Sequence, residues 1–411
     1  MNKQKKLTLL FLFCLDTSFF YLIKIPGFIS QYINNYQKAF LVVVVFIVML
    51  FYIKQIVNYR YYFIYNILGL IFIFTMAFII GTLRYDQNIK SILIVSIHFL
   101  VPLVYLFFMI IIKDKKSLDN FQNILIYCGT FLALLFNFQY IIFNLTNKVF
   151  LNININKSII ATRFGGIRIY ESSFFILFSS ILAISFFLKE KNRKKRFRYL
   201  LFLTIMIYYI FIVFKSRIAI ISIISIFTIL MLIKRRKNIV KKFIAILLVL
   251  ATIILLINSE YGKLYLESIK SKDGGVRSEA TKYYNRQTSE MLLTGIGFVN
   301  SSQNDELRLI SMGPDNIFYK DDVGIINIFN TFGVFGLTWY ISLVVMMINV
   351  TINVIKKMSI NDSFVLIGCL LLIIITSFTM IITDSQRIFV LPCILTIFDS
   401  YFKLSKQKSI R

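Results

Sequence analysis

Two arginines and a glutamate lie close together in the segment Arg163-Phe-Gly-Gly-Ile-Arg168-Ile-Tyr-Glu171, which runs directly into an apolar stretch. An arginine guanidinium suits phosphate groups because it donates two parallel hydrogen bonds and keeps its charge. The glycine pair lets the backbone turn close to a ligand. The segment therefore predicts either an anion-binding site with a carboxylate beside it, or an interfacial anchor held by an Arg–Glu pair.

A second cationic group, Lys215-Ser216-Arg217, forms the whole connection between two apolar runs. So short a turn places both cations where the helices end, and buried cations there need an anionic partner or a water-filled cavity. Asp16 and Asp399 are the carboxylates near the middle of apolar runs. The predicted partner of Lys215 and Arg217 is an anionic ligand headgroup. The alternative is that both side chains extend to the membrane surface.

The longest polar stretch contains Arg277 and Arg286, followed by Gly295-Ile-Gly297. A weak helical pattern covers Arg277–Leu293, and we expect both arginines on roughly similar faces of that helix. The two glycines predict the end of the helix or a close approach of the backbone. Both arginines are candidates for binding phosphate, whereas the ordinary alternative is a pair of solvated side chains.

Acidic residues supply candidate proton acceptors. Asp315, Asp321 and Asp322 fall within eight positions and lack the spacing of an EF-hand calcium loop. Asp321 and Asp322 directly precede an apolar run, where acids favour the positive end of a helix dipole. Asp315 and Glu171 are therefore the predicted catalytic acids or bases. The single histidine, His98, lies inside an apolar run and is expected to hydrogen-bond to a neighbouring helix; the alternative is that it lines a cavity or accepts a proton.

A membrane-embedded helical bundle must position these residues. Of the 411 residues, 58% are hydrophobic, against about 45–50% in soluble domains, and the mean hydropathy is +0.77. A bilayer core takes about 20 helical residues. Twelve apolar runs bounded by charge are found, at about 7–23, 38–53, 61–83, 90–112, 121–145, 172–188, 199–214, 218–233, 243–258, 323–350, 363–382 and 388–402. The sequence predicts an all-α, polytopic membrane protein with about twelve transmembrane helices in a single domain, 1–411.

The distribution of charge predicts the orientation of the chain. Lys and Arg number 46 against 19 Asp and Glu, a net charge of +27. The connections on the side of both termini hold 27 of the basic residues and 4 of the acidic ones. Because basic connections stay in the cytoplasm, we expect both termini there. The outer face then carries two long connections, 146–171 and 259–322, and the second, between the ninth and tenth helices, is expected to pack over the bundle as a lid or half of a site.

Composition disfavours two classes of function. A nucleic-acid partner needs a polar groove, and this chain has little polar surface despite its charge. The four cysteines lie in apolar runs without C-x-x-C spacing, and one histidine cannot supply a multi-histidine metal site. We therefore expect no nucleic-acid partner, no cofactor and no metal.

The order of these features resembles the O-antigen ligase/polymerase superfamily of envelope polysaccharide enzymes. The matching elements, between about residues 160 and 340, are the Arg163 to Glu171 block, the Ser216-Arg217 turn, Arg277 and Arg286 upstream of Gly295-Ile-Gly297, and Asp322-Val-Gly324 with Gly333-Val-Phe-Gly336. Ligases of this superfamily typically carry a histidine in the large outer loop. This loop has none, which favours a polymerase.

The resemblance implies a metal-independent glycosyltransferase at the outer face of the bacterial cytoplasmic membrane. Its donor would be a glycan on a polyprenyl diphosphate such as undecaprenyl diphosphate, and its acceptor another lipid-linked repeat unit, in O-antigen, capsule or exopolysaccharide synthesis. Its partners would include membrane lipid and the chain-length regulator and flippase of the same pathway. Glu171 or Asp315 would take the acceptor proton, and the diphosphate would be bound by Arg163, Arg168, Lys215, Arg217, Arg277 and Arg286.

A lipid-linked oligosaccharide flippase is the main alternative from a different class, and a ligase of the same superfamily is another. A flippase also has about twelve spans, but it predicts charges deep in both halves and no long outer loop. In this chain the apolar runs are nearly free of basic residues and the outer loop is long, which favours the polymerase. The intermediate that accumulates on deletion distinguishes them, since single repeats outside indicate a polymerase and single repeats inside a flippase.

Overall fold

The computed structural model describes residues 3–22, 33–151, 160–163, 166–234 and 273–408. Within these ranges the chain is helical apart from one β-hairpin and the connecting turns. The predicted all-α class is confirmed at this level. The apolar run 243–258 and the first part of the predicted large loop, 259–272, lie outside the described residues.

Helices of very different lengths make up most of the described chain. In chain order they are α1 Lys3–Asp16, α2 Ser18–Tyr21, α3 Ile33–Phe51, α4 Ile53–Asn58, α5 Ile64–Tyr85, α6 Ile89–Ser96, α7 Val104–Ile111, α8 Lys115–Thr146, α9 Ser173–Lys189, α10 Arg193–Tyr208, α11 Arg217–Lys234, α12 Asp273–Glu290, α13 Asp305–Met312, α14 Ile325–Lys357, α15 Phe364–Thr376 and α16 Val390–Lys408. Shorter helical pieces are the 3₁₀ segments Ile97–Leu103 and Lys320–Asp322 and the π-helical turn Tyr209–Phe214. Strands β1, Ile160–Arg163, and β2, Gly166–Ile169, pair antiparallel.

Among the described residues, six helical segments are long and apolar enough to cross a membrane. They are Ile64–Tyr85, Ile89–Ile111, Lys115–Thr146, Arg193–Phe214, Arg217–Lys234 and Ile325–Lys357. Shorter apolar helices cover Lys38–Phe51, Ser173–Lys189 and Phe364–Thr376. This pattern is typical of a multi-pass membrane protein, whereas the count of twelve spans stays a prediction.

Helix α9 lies at the centre of the bundle. Its residues from Ser173 to Ile184 are all buried, as expected for a helix that is apolar on every side. Close contacts to its neighbours depend on small side chains, because a Cβ on Gly129 of α8 would lie 2.3 Å from Ser179. A Cβ on Gly368 of α15 would similarly lie 2.7 Å from Ile181. The residues at the start of α9 are therefore anchored to a fully buried, closely packed helix.

Successive long helices run in alternate directions, so the bundle has two ends. We name the two ends by the connections that form them. The loop end is formed by residues 86–88, 170–172, 215–216, 291–324 and 377–389. The basic end is formed by residues 112–114, 190–192 and 358–363. At the basic end Lys189 Nζ lies 2.7 Å from Asp362 Oδ1, and Lys115 Nζ lies 3.9 Å from the same atom. The site residues predicted from sequence belong to the loop end, to the hairpin beside it, or to helix α12, which leads into the loop end.

Helix α14 is interrupted at Gly333, and part of the large loop fills the interruption. Gly333 has φ +62 and ψ −152, a conformation that residues with a Cβ rarely adopt. On one side of the break, the Ile296 amide donates to the Asn330 carbonyl at 2.8 Å. On the other side, the Val334 amide donates to the Leu292 carbonyl at 2.9 Å. Residues 291–300 are thus hydrogen-bonded into the bundle instead of lying over its surface.

Gly295 and Gly297 permit this insertion. Their φ angles are +69 and +77. A Cβ on Gly297 would lie 2.8 Å from the Ala77 carbonyl oxygen in α5, and one on Gly295 would lie 2.5 Å from the Gly333 nitrogen. Non-helical backbone at membrane depth is tolerated where protein surrounds it. The close backbone approach expected of Gly-Ile-Gly is made to helices α5 and α14.

Candidate functional site

Arg168 connects the hairpin to the end of the π-helical turn. Its Nε donates to the Phe214 carbonyl at 2.9 Å, and its guanidinium carbon lies 5.0 Å from the centre of the Phe214 ring. Desolvation lowers the pKa of this guanidinium; Arg277 acts in the same direction and Asp322 in the opposite one. Arg168 therefore lies within electrostatic reach of two residues of the large loop.

Glu171 follows the hairpin and is buried, with 6% of its surface exposed. Its carboxylate interacts electrostatically with Tyr21 and Tyr209. The next residue, Ser172, has φ +46 and caps α9, and its hydroxyl lies 2.7 Å from the Tyr21 hydroxyl. The predicted carboxylate thus sits inside the bundle, at the N-terminal end of its central helix.

The turn at Lys215 and Arg217 brings two more cations to the loop end. Lys215 has φ +51, is 3% exposed, and places its Nζ 6.0 Å from the centre of the Tyr140 ring. Desolvation lowers the pKa of the Lys215 ammonium. Arg217 begins α11 and is half-buried. The turn is joined to Arg168, because Phe214, which accepts the Arg168 hydrogen bond, directly precedes Lys215.

Arg277 lies on the first part of α12, which the helical pattern correctly predicted. Its Nη2 is 3.6 Å from Asp322 Oδ1, and both side chains are 48% exposed. The helix is fastened to α14 because the side-chain Nδ2 of Asn330 donates to the Tyr284 carbonyl at 3.1 Å. Large-loop residues therefore pack back on the bundle, and Arg277 faces the start of α14.

Arg286 does not share that face, and the expectation that it would is wrong. Nine residues at about 100° each make two and a half turns, which puts Arg286 on the side of α12 opposite Arg277. Arg286 is exposed, whereas Ala280 and Tyr284 form the buried side. Within the part of the chain that the structure describes, no carboxylate lies within ion-pairing distance of Arg286.

Two other predicted site residues lie apart from this group. Asp315 is exposed in the turn Gly313–Asn316, which follows α13. Arg163 pairs with Gly166 in the hairpin register, and its side chain is outside the described residues. The structure therefore ties the Arg168 side chain to the turn that carries Lys215 and Arg217, and it places Arg168 within electrostatic reach of Arg277. We call these four cations the cationic cluster.

Sequence reasoning missed a second group at the loop end. Arg387 Nη1 lies 3.3 Å from Asp384 Oδ2 and donates to the Asp321 carbonyl at 3.4 Å. Asp384 is 4% exposed. A signal was present, since Asp384 and Arg387 stand in a short polar connection between two apolar runs, as Lys215 and Arg217 do.

Asp321, Asp384 and His98 line a cavity of about 420 Å³. Desolvation by the surrounding protein and the nearby Asp384 carboxylate raise the pKa of Asp321 to about 8, although the residue as a whole is exposed. Lys320 lines the same cavity, and desolvation lowers the pKa of its ammonium to about 8. A carboxyl whose pKa is raised, next to a second carboxyl in the wall of a cavity, is the arrangement expected of an acid–base site.

No protein-family model matches this sequence, and a search of curated proteins gives no match.

Proposed function

We propose that this protein is a polysaccharide polymerase of the cytoplasmic membrane, which transfers a polyprenyl-diphosphate-linked glycan onto another lipid-linked repeat unit. In this proposal the chain spans the membrane about twelve times, its basic end and both termini face the cytoplasm, and its loop end faces outward. Polymerisation then takes place where the cationic cluster meets the outer membrane surface.

The cationic cluster is the observation that carries the proposal. Breaking a glycosidic bond to a diphosphate increases the negative charge on the leaving group, and preorganised cations stabilise that charge. Each charge-assisted hydrogen bond contributes about 1.5–3 kcal/mol, so two or three supply a useful part of a barrier reduction of about 8–23 kcal/mol. Arg168, Lys215 and Arg217 already lie at the level where the helices end, as a lipid-bound diphosphate requires.

Arg277 is the member of the cluster best able to contact an incoming ligand. Its ion pair with Asp322 is 3.6 Å long and half exposed on both sides, and such pairs contribute little stability. A diphosphate can therefore replace Asp322 as the partner of Arg277 at small cost. The donor lipid would enter between helices, with its headgroup against the loop end.

The test is extension of a purified polyprenyl-diphosphate-linked repeat unit by the full-length protein in lipid vesicles. We expect longer lipid-linked glycans from the wild type, and transfer about 10-fold to 150-fold slower from Arg277→Ala, since one charge-assisted hydrogen bond is lost. Lys282→Ala removes an exposed cation from the same helix and is the matched control. Absence of any extension by the wild type would contradict the proposal.

The same preparation separates the polymerase from a flippase. A flippase moves the repeat unit across the vesicle membrane without lengthening it, whereas a polymerase lengthens units already on the side of the loop end. In cells that lack the protein, accumulation of single repeats outside supports the polymerase.

A further inference from the structure

The cavity beside the cationic cluster has the size and lining of a small-ligand site. Its volume of about 420 Å³ falls in the range of roughly 300–1,000 Å³ that such sites occupy. Its wall combines the apolar rings of Phe298 and Phe318 with the hydroxyl groups of Ser301 and Thr331. Aromatic faces next to hydroxyls and carboxylates suit a ligand with apolar C–H faces and many hydroxyl groups.

His98 gives independent evidence that the cavity takes a polar ligand. It lines the cavity and is 9% exposed, and its Nδ1 makes no well-formed hydrogen bond among the described residues, although the backbone of Val95, one turn earlier, interacts with the imidazole. A buried nitrogen in that state costs free energy unless something binds it. A ligand hydroxyl in the cavity would supply the missing partner.

The acidic pair in the cavity wall is arranged for proton transfer. Asp321 and Asp384 lie close enough for their carboxyls to hydrogen-bond, and Arg387 already places positive charge 3.3 Å from Asp384. Carboxylate oxygens in the wall of the cavity can accept a proton from a bound hydroxyl.

The cavity and the cationic cluster share one short segment of chain. Asp321 lines the cavity, while the next residue, Asp322, contacts Arg277 at 3.6 Å. A hydroxyl bound at Asp321 and a diphosphate bound at Arg277 would therefore lie side by side. That adjacency is what transfer of a glycan from one lipid carrier to a second sugar requires.

We propose that the cavity lined by His98, Asp321 and Asp384 binds the terminal sugar of the acceptor glycan, and that the Asp321–Asp384 pair accepts the proton of its attacking hydroxyl. The proposed binding of sugar depends only on the cavity, whereas the proposed chemical step rests on the proposed polymerase function. In that step the acceptor oxygen forms a bond to the anomeric carbon of the donor. The bond from that carbon to the diphosphate oxygen breaks, its electron pair stays on the diphosphate, and the hydroxyl proton passes to the carboxylate pair.

Thiol labelling of the full-length protein in lipid nanodiscs tests the binding. Ser301→Cys places a thiol in the cavity wall, and Ser302→Cys, its exposed neighbour outside the wall, is the matched control. The wild type, with its four native cysteines, sets the background. The probes are oligosaccharides from partial acid hydrolysis of the host's own surface polysaccharide, which lack lipid and diphosphate, and inorganic pyrophosphate.

We expect the oligosaccharides to slow labelling of Ser301→Cys about fivefold at a concentration near four times Kd. They should leave the labelling rate of Ser302→Cys unchanged. Pyrophosphate should protect neither thiol. Adding Asp321→Asn should raise the oligosaccharide concentration needed for half-protection about tenfold. Equal labelling of Ser301→Cys with and without oligosaccharide would overturn the proposal, whether or not the protein extends glycans.

Turnover tests the proton transfer separately. In the vesicle extension assay, Asp321→Asn should slow transfer about 100-fold or more, while Asp305→Asn, whose side chain is 92% exposed, should match the wild type. A wild-type rate in Asp321→Asn would remove the carboxylate pair from the reaction. Protection at Ser301→Cys together with no extension by the wild type would leave a sugar-binding cavity and refute the polymerase.

Discussion

The Nε atom of Arg168 donates to the carbonyl oxygen of Phe214 at 2.9 Å. This bond ties the hairpin before α9 to the turn before α11, so two cationic motifs that are separate in the sequence lie next to each other. Lys215, the next residue after Phe214, is held in the left-handed region at φ +51. The Arg168 side chain thus both carries charge at the loop end and holds the neighbouring charge in place.

Replacement of Arg168 by lysine tests this double role. Arg168→Lys keeps the charge but loses the planar guanidinium that bonds the Phe214 carbonyl and stacks on its ring. We expect a loss of about 1–3 kcal/mol in stability, seen as a lower Tm of the purified protein in detergent. Arg308→Lys, in an exposed pair with Asp305, is the control and should change Tm little. Equal Tm values for both variants would show that the Arg168 bond does not hold the loop end together.

Gly297 provides a test of the inserted segment 291–300. Gly297→Ala adds a Cβ at φ +77, 2.8 Å from the Ala77 carbonyl oxygen. Left-handed backbone costs a residue with a Cβ roughly 1–2 kcal/mol, and the clash with backbone adds to this. We therefore expect a clear fall in Tm and in monodisperse yield on size exclusion.

The matched control for that substitution is Gly275→Ala in α12, where an added Cβ meets nothing within 4 Å. Alanine favours a helix over glycine by about 1 kcal/mol, so this variant should be neutral or slightly stabilising. Should both glycine variants behave alike, residues 291–300 do not pack between α5 and α14 as described.

Several elements could be predicted from the sequence because they depend on local pattern. The apolar runs predicted the long helices among the described residues, since each long run is bounded by charge. The pattern after Arg277 predicted α12 within a few residues of its bounds, Asp273–Glu290. Gly295 and Gly297 were recognised because few residues other than glycine tolerate close backbone contact. These features require no knowledge of which helices are neighbours.

The cavity could not be predicted in the same way, because its wall is assembled from distant segments. Asp321 and Asp384 are brought together by the packing of α14 against the turn after α15, where the Ile325 amide donates to the Ser377 carbonyl at 2.7 Å. Nothing in the local sequence of either aspartate specifies that contact. The position of Arg286, in contrast, follows from helical geometry alone, since nine residues turn the chain through about 900°.

The two arginines of α12 give a direct comparison. Arg277 contacts Asp322, whereas Arg286 is exposed on the opposite side of the helix. We expect Arg277→Ala to slow glycan extension at least about fivefold more than Arg286→Ala does, because the former removes a charge-assisted hydrogen bond to the ligand. Rates are measured in vesicles at matched protein amounts. A larger loss in Arg286→Ala would mean that the diphosphate binds on the outer side of α12.

The raised pKa of Asp321, about 8, predicts how stability depends on pH. An unfolded aspartate loses its proton near pH 4, so between about pH 4 and 8 the folded state holds a proton that the unfolded state has released. Stability therefore falls as pH rises through this range.

Asp321→Asn cannot titrate at this position, and the nearby Asp384, Asp322 and Arg387 are common to the variant and the wild type. We expect Tm to fall less from pH 5 to pH 8 in this variant than in the wild type, while Asp305→Asn follows the wild type. Parallel Tm curves for the wild type and Asp321→Asn would show that Asp321 ionises normally in the folded protein.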